Sequence, residues 1–186
     1  MEKIADTLTR SFLKRGFIDE EQTEWCQYIL ESRLTTALSI LAFLVVGAWI
    51  AGLPEAIVFI YGVASLRRRT NGYHAHTFWQ CMLQSLLCEI IAFSLLPFLP
   101  AFASPLLLIV SSAVILPLAP ANSSRMHFTP EEIHALQNRA RIQVLLLDGA
   151  ALILSFVQPR FAACLALSLA MVAILLVLAK LGFGEQ

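Results

Sequence analysis

The chain has 186 residues, 58% of them hydrophobic and 14% charged, with a formal net charge of zero. A soluble domain of this length has too little interior for so much apolar side chain, so lipid must solvate part of it. With no net charge there is no overall field toward nucleic acid, and none is expected as a partner.

The first elements are polar. Residues 2–31 read as surface helices, with Ile4, Leu8 and Phe12 on one helical stripe and a break at Gly16. Asp19 fits the cap of a second helix, with Gln22 at its third position. Trp25 and Tyr28 suit the headgroup level. These segments read as interfacial amphipathic helices, with docking of a substrate as the alternative. Glu2, Asp6 and Asp19 among polar residues do not make the basic-then-apolar layout of a cleaved signal peptide.

Six apolar runs follow, at residues 34–52, 54–66, 79–98, 104–119, 143–157 and 161–181. A hydrocarbon core of about 30 Å takes roughly 20 such residues per helix, fewer when the ends snorkel. The run 54–66 is the weakest, and Pro97–Pro100 parts the third from the fourth. Thr129-Pro130-Glu131-Glu132 marks another helix start, a cap followed by a first-turn proline, and predicts a helix over about 130–142. The expected fold is therefore all-α: a polytopic integral membrane protein with six transmembrane helices and N-terminal interfacial amphipathic helices. It is a single membrane domain, 1–186. Residues 1–33 are interfacial, 34–119 hold spans one to four, 120–142 a loop and helix, and 143–186 spans five and six. Six spans place twelve of the thirteen lysines and arginines on one side and only Arg160 on the other. That asymmetry predicts a multi-pass cell-membrane protein with both termini cytoplasmic.

Cys26, Cys81, Cys88 and Cys164 form no CxxC pair and no disulfide framework. The stretch Arg67-Arg68-Arg69-Thr70-Asn71-Gly72-Tyr73-His74-Ala75-His76-Thr77-Phe78-Trp79-Gln80-Cys81 joins a basic segment to a membrane helix. A cysteine attacks through its thiolate, and a nearby histidine takes and returns the proton, which makes His74 and Cys81 the natural pair. Arginines and a helix N-terminus favour thiolate. In an unbroken helix the two residues would lie about 10.5 Å apart along the axis, whereas proton transfer needs about 3 Å. A working pair therefore requires a break between Gly72 and about Thr77, the helix beginning near Thr77, and His74 within about 5 Å of the sulfur in the unliganded protein. Other readings stand beside these. Cys81 can be an inert apolar residue, and the three arginines can serve orientation alone. His74, His76 and Cys81 can ligate zinc, although no acidic or further cysteine cluster supports a metal site. If the pair fails, His76 or His127 is the next candidate base.

The run from Arg67 to Cys81 resembles the signature of the accessory gene regulator B (AgrB) family of membrane cysteine endopeptidases. The matching positions are Arg67, Gly72, Tyr73, His74, Ala75 and Cys81, the cysteine standing seven residues after the histidine. Asn71 departs from the second glycine many members carry, and asparagine tolerates a left-handed turn there. Chain length, six spans and a proline-bearing loop from Pro117 to Pro130 also fit. The resemblance implies that Cys81 cleaves the C-terminal tail from a small peptide precursor with His74 as base and then acid. A thiol or hydroxyl of the same peptide then closes a thiolactone or lactone. Arg67 and Gly72 carry over as supporting positions, and a homodimer with no cofactor is implied.

Asp148, inside an apolar run, is either an orienting or substrate-binding group or a structural hydrogen-bonding acid. Gln84 is a further candidate for orientation or substrate binding, and Glu89, Ser85 and Cys88 lie close by; none stands out as a third catalytic member. Gly47 to Ala51 and Ala48 to Gly52 have the small-residue spacing of close helix pairing. The alternative function is a non-enzymatic small transporter or peptide exporter using Asp148 and needing no Cys81. A membrane scaffold would need neither Cys81 nor His74.

Overall fold

A computed structural model describes residues 2–70, 77–100, 102–121 and 129–183, with the side chain of Pro130 left aside. The regular elements are all helical: α1 (Glu2–Lys14), α2 (Thr23–Ile50), α3 (Leu53–Thr70), α4 (Phe78–Leu95), α5 (Ala103–Leu118), α6 (Pro130–Val157) and α7 (Pro159–Lys180). The chain forms two compact units, Met1–Phe43 and Leu44–Gln186.

In the first unit, α1 ends where the sequence places the break. Gly16 takes φ +72°, a left-handed conformation that glycine adopts without steric cost. Its N–H donates to Leu13 O at 3.0 Å, and the Phe17 N–H donates to Phe12 O at 3.0 Å. These bonds occupy the carbonyls a helix end leaves open. The Phe12 and Phe17 rings meet edge-on, 6.2 Å apart, and complete the motif. Asp19 caps the next turn, its N–H donating to Gln22 Oε1 at 3.3 Å. The expected second surface helix and the first apolar run are one continuous helix, α2, because neither glycine nor proline occurs from Thr23 to Val46. On α1 the buried residues are Ala5 and Thr9, while Ile4 and Leu8 of the expected stripe are exposed.

In the second unit α7 is the central element. Every residue from Ala162 to Leu169 is buried, and α7 packs against α3, α5 and α6. Lipid tails are as apolar as leucine, so helix association here rests on close van der Waals contact rather than on removal of water. Small residues supply that contact. A Cβ at Gly62 of α3 would overlap Ser168 Oγ and stand 2.8 Å from its Cβ. On α5 the buried residues are Ser104, Leu108, Ser111, Ser112 and Ile115, at helical spacing. A second cluster joins Ala56, Phe59, Phe93, Leu96, Cys164 and Leu167, with the Phe59 and Phe93 rings 5.0 Å apart.

Two sets of polar contacts define the ends of this unit. At one end Arg160 Nη2 donates to Ala51 O at 2.9 Å, and its Nε lies 2.8 Å from Glu55 Oε1. At the other the Ala121 N–H donates to Thr70 O at 2.9 Å. From α3 to α7, helices therefore alternate in direction, with the starts of α3 and α7 at the Arg160 end and the starts of α4 and α6 at the Thr70 end.

Among the described residues, four helices are long and apolar enough to cross a membrane: Glu20–Ile50, Phe78–Phe98, Glu131–Val157 and Pro159–Lys180. The expected second and fourth spans, α3 and α5, fall outside that set. Glu55 and Arg67–Arg69 charge the ends of α3, and the 16 residues of α5 reach only about 24 Å. The expected helix over 130–142 and the run 143–157 are a single helix, α6, again for want of a breaker. Its start is as expected: Thr129 N donates to Glu132 Oε2 at 2.8 Å, and Glu132 N to Thr129 Oγ1 at 3.3 Å. Gly47, one of the residues with the spacing of close helix pairing, is covered from within the second unit, where Ala56, Phe93 and Glu89 would all lie within 2.9 Å of an added Cβ.

Candidate functional site

Cys81 is the fourth residue of α4, which starts at Phe78. The residue before that start, Thr77, is extended, with φ −127° and ψ 151°. Its Oγ1 accepts from the Gln80 N–H at 3.3 Å, and its carbonyl accepts from the Cys81 N–H at 3.0 Å. A threonine hydroxyl that accepts from an otherwise unpaired N–H of the first turn is a good start for a helix. The expected break before α4 is thus present at Thr77. The cysteine stands in the first turns, where the positive end of the helix dipole acts on it. Of the backbone N–H groups at that start, those of Gln80 and Cys81 are taken up by Thr77. Trp79, edge-on to Phe78 at 5.3 Å, is 60% exposed, as befits an aromatic ring at a membrane boundary.

The three arginines before the site have different fates. Arg68 is exposed. Arg69 folds back along its own helix, Nη1 donating to Ser65 O at 2.6 Å. Arg67 is half-buried and lies within electrostatic range of Cys81. Burial pushes the Arg67 guanidinium below its ordinary pKa, while attraction to Cys81 acts the other way.

His74, His76 and Gly72 lie outside the described residues, as does His127, so the separation of His74 and Cys81 is not among the distances. No group of metal-ligating side chains occurs among the described residues. Gln84 is exposed on α4. Asp148 lies in α6, where its Oδ2 accepts from Ser112 Oγ at 2.8 Å and its Oδ1 is buried without a protein partner. Ser112 precedes the end of α5 by six residues, about 9 Å of helix, and the Thr70–Ala121 contact lies beyond that end. Asp148 is therefore deep in the bundle, well below the level of Arg67 and Cys81.

Two polar residues have roles that spacing did not reveal. Arg160 ties the α2–α3 turn to the α6–α7 turn through Ala51 and Glu55. Glu89 is 2% exposed beside Gly47, and neither carboxylate oxygen has a hydrogen-bond partner among the described residues. Its signal in the sequence is an acid within the apolar run Cys88-Glu89-Ile90-Ile91, the same signal that marks Asp148.

A family model described as AgrB, accessory gene regulator B, matches residues 1–176. No curated protein and no solved structure matches the chain.

Proposed function

Because this membrane protein belongs to the accessory gene regulator B family, whose members serve the processing of an autoinducing peptide in quorum sensing, we propose that it is a cysteine endopeptidase acting through Cys81. The supporting observation is local: a half-buried cysteine in the first turns of α4, just after the extended Thr77, with the half-buried Arg67 within electrostatic range.

The Cys81 thiolate attacks the carbonyl that joins the signal segment to the tail of a small peptide precursor. The carbonyl oxygen gains charge as the C–S bond forms, and N–H groups at the start of α4 are donors for it. His74, having taken the thiol proton, returns it to the nitrogen of the departing tail as the C–N bond breaks. A thiol or hydroxyl of the bound signal segment then attacks the thioester, which releases Cys81 and closes a thiolactone or lactone. A site at the lipid boundary restricts water, the competing nucleophile. Gly72 and Arg67 support the arrangement, and no cofactor takes part.

In the proposed topology all six helices α2–α7 cross the membrane, both termini are cytoplasmic, and the active form is a homodimer. The alternation of direction through α3–α7 is in keeping with six crossings. So is the pairing of Arg160, the lone cation of the outer side, with Glu55 and Ala51. Membrane-impermeant labelling of single cysteines tests it; labelling at position 125 from outside intact cells contradicts it.

Co-expression with candidate precursors, read by mass spectrometry, tests the reaction. Cleaved tail and cyclic product should appear with the wild type and vanish with Cys81→Ala and His74→Ala at unchanged protein level. Normal cleavage by Cys81→Ala would end this reading. The buried acids Glu89 and Asp148 favour a second reading, an export role. It predicts that Glu89→Gln or Asp148→Asn lowers external product while cleavage inside continues.

A further inference from the structure

Gln84 stands three residues after Cys81 on the unbroken helix α4, so the two share one side of it, with Cβ atoms about 5–6 Å apart. A helical side chain leans toward the N-terminus of its helix. The Gln84 amide, carried on two methylene groups, therefore reaches back over the turn that holds the sulfur. The residue is exposed, and among the described residues no hydrogen bond holds its amide. It stands six residues past Phe78, about 9 Å into the helix. Its sequence neighbours on that exposed side, Leu83 and Leu87, are 61% and 58% exposed. An amide without a partner at that depth is costly in a membrane, and a leucine would avoid the cost.

We propose that Gln84 is a further catalytic residue, whose amide N–H donates to the carbonyl oxygen that Cys81 attacks. This rests on the reading of Cys81 as the nucleophile. As the sulfur's electron pair forms the C–S bond, the π pair of the carbonyl moves onto oxygen. A donor already aimed at that oxygen stabilises the charge. When the C=O bond is restored, the tail departs on its nitrogen with the proton held by His74. The surroundings of Cys81 single out Gln84 for the donor. The N–H groups of Gln80 and Cys81 are bonded to Thr77, so they are not open to substrate. The side chain of Gln80 points about 100° away around the helix, since adjacent residues do not face each other. Ser85 lies on the right side, but a hydroxyl one bond from Cβ does not span the 5–6 Å to the next turn. The Gln84 amide combines reach, side and an open donor, and the partner it lacks arrives with the substrate.

The test compares two reactions of the same sulfur in the full-length protein in membranes, with Cys26, Cys88 and Cys164 replaced by alanine. p-Nitrophenyl acetate acylates a thiolate through an oxyanion and releases p-nitrophenolate. Iodoacetamide alkylates it by displacing iodide and forms no oxyanion. Gln84→Leu should slow acylation by roughly 10²-fold and leave alkylation unchanged, and Gln84→Met serves if that variant fails to insert. Gln80→Leu should change neither reaction. Equal acylation with and without the Gln84 amide, absence from both included, overturns the proposal. A parallel loss of acylation and alkylation overturns it too, since Gln84 would then act only in packing. So does an equal loss of acylation in Gln80→Leu, which would trace the effect to polarity along the helix. Failure of the underlying reading shows separately, as normal precursor cleavage by Cys81→Ala.

Discussion

α7 and the first half of α4 are both apolar helices of the same unit, and they are held in opposite ways. Along α7 the packing surrounds the helix: eight consecutive residues, Ala162 to Leu169, are buried. Over Phe78–Cys88 nothing is buried, and the helix is fixed at its Thr77 cap and, beyond Glu89, by the Phe93–Phe59 contact. The difference follows from side-chain size. Alanine, serine and glycine let α3, α5 and α6 come close to α7, whereas Trp79, Leu83 and Leu87 point away from the bundle. The element carrying the candidate nucleophile is thus the one with room around it, and the packed centre serves as its support. Sites that must admit and release a substrate are drawn from loosely packed regions for this reason.

The sharpest division between the two regions is in chemistry. Cys81→Ala should lower cleavage by about 10³-fold or more at unchanged membrane level, whereas Cys164→Ala, inside the α7 packing, should leave the cleavage rate largely intact; precursor turnover in membranes checks both. If the two replacements were equally damaging, the comparison would fail. Next in size, Gly62→Val should push α3 from Ser168 and destabilise by about 1–3 kcal/mol or more, read as a lower melting temperature in detergent. Ser112→Ala removes the hydrogen bond to Asp148 and should cost about 1–3 kcal/mol while turnover at saturating precursor changes little. A collapse of turnover without loss of stability would instead put Asp148 in the reaction. Smallest is Thr77→Ala, which loses a cap worth about 1 kcal/mol. Faster amide exchange at Gln80 and Cys81, with α7 unaffected, would show it.

The sequence by itself determined what depends on a few neighbouring residues. The six apolar runs all lie in helices. Gly16, Asp19, Thr129 and Pro97–Pro100 punctuate the chain as their turn chemistry requires, and the start of α4 at Thr77 follows from the demands of a Cys81 pair. Only the tertiary structure decided that α2 and α6 each run on through a polar half and an apolar half. It alone decided that Arg67 is half-buried within electrostatic range of Cys81 while Arg68 is exposed, that Arg160 is engaged by Ala51 and Glu55, and that Glu89 is enclosed beside Gly47. The reason lies in the solvent. A helix in water declares its buried face by being apolar there, but in lipid both faces are apolar, and the pattern of α4 or α7 does not say which side meets a neighbour. That choice is made by the shapes of residues far apart in the chain, such as Gly62 against Ser168, and it appears only when the helices are packed.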